Sequence, residues 1–157
     1  MNEVVKFLNK LKPQWADMLV FYFPQDSPKV EPPVVNGIDL KEEGNEFIFQ
    51  ENGLLIHRSR VFYKSNFLSN FNFSGPLITI GDCFTDDRYR GKGIYPQVLK
   101  YLGSKFSPER QVFILVAPEN LSSIKGIEKA GFIFLGRLQG LRILIFYFFK
   151  KLSISRL

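Results

Sequence analysis

"PLITIGDCFTDDRYRGKGIYPQVLKYLGSKF" (76–106) decides how this chain folds. Residues 76–84 form an apolar, β-prone run and predict a buried strand. "YRGKGIY" (89–95) crowds cations and glycines into a turn. "PQVLKYLGSKF" (96–106) predicts a helix with Pro96 at its first position, where a missing N–H leaves nothing unsatisfied. Val98, Leu99, Leu102 and Phe106 give that helix one apolar face. "QVFILVA" (111–117) predicts a second buried strand. A strand–helix–strand unit of this kind demands a parallel pair joined by a right-handed crossover.

The turn is built to hold an anion. Between a strand and a helix, backbone N–H groups converge at the positive end of the helix dipole. Gly91 and Gly93 let the backbone bend and let a phosphate come close. Arg88, Arg90 and Lys92 add charge. The dinucleotide pattern G-x-G-x-x-G fails, because Pro96 stands where its third glycine belongs. The P-loop pattern is absent as well. Physics alone reads "phosphate" here, or a tight basic surface turn.

Outward from this unit, "NLSSIKGIEKAG" (120–131) predicts a second helix, with Asn120 as N-cap and Gly131 just past its end. "FIFLGRL" (132–138) and "LRILIFYFF" (141–149) predict a closing strand pair turning at Gln139-Gly140. Upstream, "NEFIFQENGLLIHRSRVFY" (45–63) predicts a hairpin around Asn52-Gly53. "MLVFYF" (18–23) is β-rich, and "PQDSPKVEPP" (24–33) reads as a linker with four prolines. Residues 64–75 read as irregular or part-helical. Residues 1–12 predict a short amphipathic helix, with Val4, Val5, Leu8 and Leu11 on one face.

Composition narrows the function classes. The 157 residues fit one domain, and 45% hydrophobic content can fill its core. The 17 phenylalanines suit a sheet-rich interior; those at 67, 71, 73, 146, 148 and 149 are assigned to it. A net charge of +6 favours polyanionic partners: a nucleotide cofactor, a phosphorylated substrate, nucleic acid or an anionic membrane. The cations are scattered, which ranks nucleic acid last. A single cysteine, Cys83, excludes an internal disulfide and a cysteine-based zinc cluster. It suits a reducing cytoplasm, where the chain is expected. A single histidine, His57, excludes a multi-histidine metal site, and no metal is expected. The first residues lack the apolar core of a signal peptide. The nine apolar-rich residues 141–149 are far short of the roughly 20 that span a bilayer. Lys150, Lys151 and Arg156 follow them and suggest a peripheral membrane contact. Homo-oligomerisation is left open.

Arg90-Gly91-Lys92-Gly93-Ile94, between a strand and a helix, resembles the pyrophosphate loop of the GNAT superfamily, the CoA-dependent N-acetyltransferases. The family pattern is Gln/Arg-x-x-Gly-x-Gly/Ala. Arg90 takes its first position and Gly93 its fourth, while Tyr95 departs from the small sixth residue. "VFILVAPENLSSIKGIEKAGF" (112–132) resembles the family's next block, with Asn120, Lys129, Gly131 and Phe132 at matching places. The resemblance covers about residues 76–138. "CFTDDRYRGKGIYP" and "SIKGIEKAGF" are most similar to a subgroup linked to cell-surface polysaccharide assembly.

The resemblance implies a mixed α/β (α+β) fold with a mostly antiparallel central sheet, a splayed parallel strand pair and flanking helices. It implies one acyltransferase-like domain over 1–157, with 1–75 as a variable acceptor-side half and 76–149 as the acyl-CoA half. Acetyl-CoA would be the co-substrate. Its pantetheine would pair with backbone around Cys83, Phe84 and Thr85. Its pyrophosphate would sit on amides near Arg90, Gly91, Lys92, Gly93 and Ile94, with Asn120 beside the pantetheine. The acceptor would be a small amine, such as an amino sugar or a nucleotide-linked sugar, attacking directly in a ternary complex.

Acyl transfer to an amine needs a base, an oxyanion site and sometimes an acid for the thiolate. His57 has the one unperturbed pKa near neutrality, about 6.5, and is a base candidate. Asp82 is the next, unless it pairs with an arginine. Arg58 and Arg60 share a strand face and could grip a phosphate on the acceptor. The family often carries a tyrosine five residues before the Gly-Phe phenylalanine, and here that position is Ile127. Tyr95 and Tyr89 are the substitutes. The alternative is a GNAT-like module that binds CoA or a partner without turnover.

Overall fold

The computed structural model describes residues 12–143 and 146–154. The helix expected over 1–12 falls almost wholly outside them, as does Arg156. Among the described residues one eight-stranded sheet runs through both halves of the chain. Its strands in sequence are β1 (Gln14–Tyr22), β4 (Lys41–Glu43), β5 (Glu46–Glu51), β6 (Leu54–Phe62), β7 (Leu77–Thr85), β8 (Gln111–Val116), β9 (Ile133–Ile143) and β10 (Phe146–Ile154). A separate two-stranded ribbon, β2 (Val34–Val35) and β3 (Ile38–Asp39), completes the numbering. The sheet order is β10-β9-β1-β8-β7-β6-β5-β4. Every pairing in it is antiparallel except β7 with β8.

The hairpin around Asn52-Gly53 forms as the sequence predicts, with φ of 50° and 80° at the two turn residues. Both positive angles are those of the mirror-image turn that matches strand twist. Asn36-Gly37 makes the same turn in the β2–β3 ribbon, at φ of 51° and 78°. The sequence reading passed over it because two-residue strands carry no periodicity. Helix α1 (Asn66–Asn70) forms inside the stretch read as irregular or part-helical, capped by Ser65 Oγ accepting from the Leu68 N–H.

Helices α2 (Ile94–Phe106) and α3 (Leu121–Lys129) follow β7 and β8. Helix α2 starts two residues before the expected Pro96, with Gly93 as its cap. Pro96 is tolerated because the first-turn N–H groups have no partner inside a helix. Alternate residues of the central strands feed two apolar layers. Phe21, Ile78, Val112 and Ile114 pack against Val98, Leu99 and Leu102 of α2 and Ile127 of α3. Val20, Leu77 and Phe113 face the other way, onto Leu68, Phe71 and Leu138.

The closing strands correct the sequence reading. Gln139-Gly140 is not a turn: β9 runs through it to Ile143, and β10 begins at Phe146. The register of β10 shifts between Phe148 and Lys151, with Phe149 at φ 49°. Gly140 faces this bulge. A Cβ there would lie 3.3 Å from the Phe148 carbonyl oxygen and 3.5 Å from the Phe71 ring. The glycine therefore marks a close approach rather than a turn.

Candidate functional site

The parallel pairing of β7 and β8 is short. It runs from Leu77 opposite Gln111 to Ile80 opposite Ile114 and stops, although β7 continues to Thr85 and β8 to Val116. A bulge in β7 explains the parting. Arg58 faces Phe84 and Arg60 faces Gly81, so Asp82 and Cys83 together oppose Ser59. Asp82 takes φ +46°, a left-handed conformation that aspartate accepts more readily than most residues. A bulge bends its strand and re-aims the side chains after it.

The gap opens into a cleft of about 550 Å³. Cys83 and Thr85 of β7 form one wall, and Asn120, Ser123 and Gly126 of α3 another. Arg90, Gly91, Gly93, Ile94 and Tyr95 close its end. A second cavity of about 310 Å³ adjoins it, lined by Lys92, Lys100 and Lys129 among others. Of the residues singled out in the sequence, His57, Asp82 and Phe84 do not line the cleft, and Lys92 lines the adjoining cavity. Ser122, Ser123, Lys100 and Lys129 were not singled out as site residues. The helical pattern placed them on α2 and α3 without showing that both helices face one gap.

The glycine turn bends left-handed at both glycines. Gly91 and Gly93 have φ of 75° and 78°. Gly93 caps α2 with no side-chain hydrogen bond of its own, so the first-turn amides face the cleft end uncovered by a cap. The cations are less available than the sequence suggests. Arg88 binds Asp86 at 2.9 Å, and Arg90 binds Asp87 at 2.8 Å and the Thr85 carbonyl at 3.1 Å. Lys92 Nζ lies over the Tyr89 ring at 4.7 Å, and the Tyr89 hydroxyl donates to Glu51 at 3.2 Å. The Tyr89 phenol is pushed up by burial and by Glu51. The amides of the turn and the helix dipole are therefore less engaged than its cations.

Asn120 carries out its capping role: Oδ1 accepts from the Ser123 N–H at 3.2 Å and from the Ser122 hydroxyl at 3.1 Å. Gly131 follows α3 at φ 93°. The Tyr95 ring lies against α3, which makes room for it. A Cβ on Gly126 would lie 2.5 Å from the Tyr95 ring. Gly126→Ala is therefore expected to cost about 1–3 kcal/mol through overpacking. Thermal melting would register this, and the Tyr95→Ala, Gly126→Ala double variant should melt closer to a Tyr95→Ala single variant than additivity predicts.

His57 is fully buried. Its Nδ1 meets Thr85 Oγ1 at 2.8 Å and its Nε2 meets Ser59 Oγ at 2.9 Å. The Ser59 hydroxyl in turn donates to Cys83 Sγ at 3.3 Å. Burial lowers the imidazole to about 4, so the ring is neutral at pH 7. Cys83 is exposed as a residue, yet burial around its sulfur outweighs the Ser59 bond and pushes the thiol up to about 11. The phenol of Tyr95 is pushed well above its usual range, first by burial and then by Cys83 nearby. Asp82 accepts from Arg60 Nη1 at 2.6 Å and Arg58 Nη2 at 3.2 Å. Arg60 also binds Glu46. The two arginines do share a strand face, and two carboxylates answer them. Ile127 is fully buried in the core beneath α3. Among the described residues no cluster of three or more His, Cys, Asp or Glu is arranged to hold a metal ion.

No protein-family model matches the chain, and no curated protein matches it. Solved structures do. A GNAT-family acetyltransferase from Colwellia psychrerythraea superposes with a TM-score of 0.57 at 13% identity, over 99% of this chain and 62% of that one. A GCN5-related N-acetyltransferase from Sphaerobacter thermophilus gives 0.58 at 14% identity, over 98% of this chain and 57% of that one. An acetyltransferase of the GNAT family from Novosphingobium aromaticivorans gives 0.55 at 15% identity, over 80% of this chain and 63% of that one. The chain thus spans about three-fifths of the length of these proteins and shares their fold: a mostly antiparallel sheet, one parallel pair and flanking helices.

Proposed function

We propose that this chain is an acyl-CoA-dependent N-acyltransferase that moves an acetyl group to an amine held in the same cleft. One observation carries the reading: β7 and β8 part beside a glycine-capped helix start, so an extended thioester arm and its terminal anion find adjacent places. The pantetheine would pair along β7 at Cys83 to Thr85, and the pyrophosphate would rest on amides from Gly91 to Ile94. Lys100 and Lys129 of the adjoining cavity would meet further phosphate charge.

The amine nitrogen attacks the thioester carbonyl. The C–N bond forms, the C–S bond breaks with its electron pair on sulfur, and the proton lost by nitrogen passes to solvent. Binding both substrates together makes a covalent enzyme intermediate unnecessary. Backbone N–H of the parted strand serves the oxyanion. Tyr95 supplies what Ile127 lacks. Its phenol stays protonated and can donate a hydrogen bond to the thiolate, which already leaves well with a thiol pKa of about 8.5. A hydrogen bond to a charged group contributes about 1.5–3 kcal/mol, so Tyr95→Phe is expected to slow turnover at least about tenfold at unchanged CoA affinity. Steady-state thiol release from acetyl-CoA checks it; equal turnover would reduce Tyr95 to a packing residue.

Neither base candidate stands free. His57 is a weak base with both ring nitrogens engaged, and Asp82 answers two guanidinium groups. This favours a second reading, a CoA-binding module without turnover. The two separate on one experiment: thiol release from acetyl-CoA across nucleotide-linked amino sugars, amino acids and polyamines. Release with any acceptor supports the enzyme. CoA binding with no release on any acceptor supports the module. An amino sugar is the first acceptor to try, because the loop motifs are similar to the polysaccharide-linked subgroup.

A further inference from the structure

Side chains of β6 and β7 form one hydrogen-bond chain beside the cleft, and each hydrogen in it can be placed. Cys83 Sγ donates to the Gly81 carbonyl at 3.6 Å. Ser59 Oγ donates to Cys83 Sγ at 3.3 Å. A hydroxyl carries one hydrogen, so Ser59 Oγ accepts at its 2.9 Å contact with His57 Nε2. The buried imidazole is neutral and carries one hydrogen, which therefore lies on Nε2. Nδ1 is left as an acceptor, and the 2.8 Å contact makes the Thr85 hydroxyl its donor.

This direction matters at the end that faces the cleft. Thr85 is half-buried and lines the cleft, whereas His57 and Ser59 are fully buried and do not. With its hydrogen turned inward to Nδ1, the Thr85 hydroxyl offers the cleft lone pairs only. The opposite wall offers the reverse. Asn120 Oδ1 accepts from the Ser123 N–H and the Ser122 hydroxyl, and its Nδ2 has no partner among the described residues. A secondary amide matches such a pair, because its N–H and C=O point to opposite sides of an extended chain. The hydrogen-bond chain also holds the wall itself. Beyond Ile80, β7 has lost β8 as a neighbour, and the bulge at Asp82 and Cys83 interrupts its ladder to β6. His57, through Thr85 and Ser59, ties the parted stretch back to β6 on both sides of Phe84.

We propose that Thr85 Oγ1 accepts a hydrogen bond from an amide N–H of the CoA arm, and that His57 and Ser59 are positioning residues that fix the direction of the Thr85 hydroxyl. Asn120 meets the same arm from across the cleft. The inference rests on the acyl-CoA reading and adds the group by which the arm is recognised. It gives His57 a part in the site that needs no proton transfer.

His57 is the only histidine, so its tautomer can be read directly in the full chain. Long-range ¹H–¹⁵N correlation should show the ring hydrogen on Nε2 and a bare Nδ1; a hydrogen on Nδ1 overturns the proposal. Calorimetric titrations with CoA and with 3′-phospho-ADP, the half of CoA without the arm, separate recognition of the arm from folding. Thr85→Val keeps the shape and loses the hydroxyl, so CoA affinity should fall about fivefold while 3′-phospho-ADP affinity holds. Thr85→Ser should restore CoA binding. Ser59 does not line the cleft, yet Ser59→Ala leaves the Nε2–H without its acceptor. The ring hydrogen should then move to Nδ1, and CoA affinity should fall with it. Unchanged CoA affinity in Thr85→Val or in Ser59→Ala overturns the proposal. An equal loss for both ligands in Thr85→Val assigns the hydroxyl to folding alone and overturns it too. A parent chain that binds neither ligand fails the acyl-CoA reading itself, and the inference with it.

Discussion

Gly93→Val is expected to weaken CoA binding about 100-fold. Two effects combine. Gly93 sits at φ 78°, and a β-branched side chain forced into the left-handed region costs of order 1–3 kcal/mol. To avoid that cost the cap must rearrange, and the amides of α2 then lose their common aim. A branched side chain at the cap also crowds the concavity the phosphates would enter; even a bare Cβ would lie 3.4 Å from Gln97 Nε2. A loss of about 2.7 kcal/mol corresponds to 100-fold in Kd. Arg90→Ala should cost far less, because its guanidinium is already shared with Asp87 and the Thr85 carbonyl. Calorimetric titration of both variants checks the contrast. Equal losses would shift the anion site from the amides to the side chains.

The second large effect is acid destabilisation through His57. Its folded pKa of about 4 lies below the unfolded value of 6.5. Between those values the unfolded chain binds the proton and the folded chain does not, so stability rises with pH in that window. The contribution is fully present above about pH 6.5 and is lost as pH falls through about 4. At about 1.4 kcal/mol per unit, the whole step is on the order of 3 kcal/mol. Asp17 and Asp86 are held below their ordinary range chiefly by hydrogen bonds from Arg137 and Arg88, so their losses come at lower pH. His57 is the only histidine, so denaturant melts at pH 7, 5.5 and 4 should lose this step in His57→Gln. An unchanged slope in that variant would remove the histidine from the account.

The sequence revealed the parallel unit because its signals are local. An apolar run, a glycine turn and an amphipathic helix each declare themselves within about a dozen residues. Asn52-Gly53 and the Asn120 cap are legible for the same reason. The closing strands are not: Gly140 resembles a turn until the bulge at Phe149 is known, and the bulge is a property of pairing. The site divides likewise. The glycine turn at Gly91 to Ile94 lies in one stretch and could be read. That His57 is held by Thr85 and Ser59, that Asp82 sits in a bulge between two arginines, and that Gly126 admits the Tyr95 ring all depend on strands and helices meeting from distant parts of the chain. Phe146, Phe148 and Phe149, assigned to the core by sequence, are exposed, and that depends on which faces the helices leave bare.

The most direct test of the proposed CoA site is a backbone amide map. The chain is 18.2 kDa, within reach of ¹⁵N–¹H correlation spectra. Titration with CoA should give saturable shifts largest at the amides of Gly91, Lys92, Gly93 and Ile94. A second group should appear along Cys83 to Thr85, where β7 parts from β8. Millimolar CoA that leaves those amides unmoved, or moves a different face of the sheet, would contradict the account.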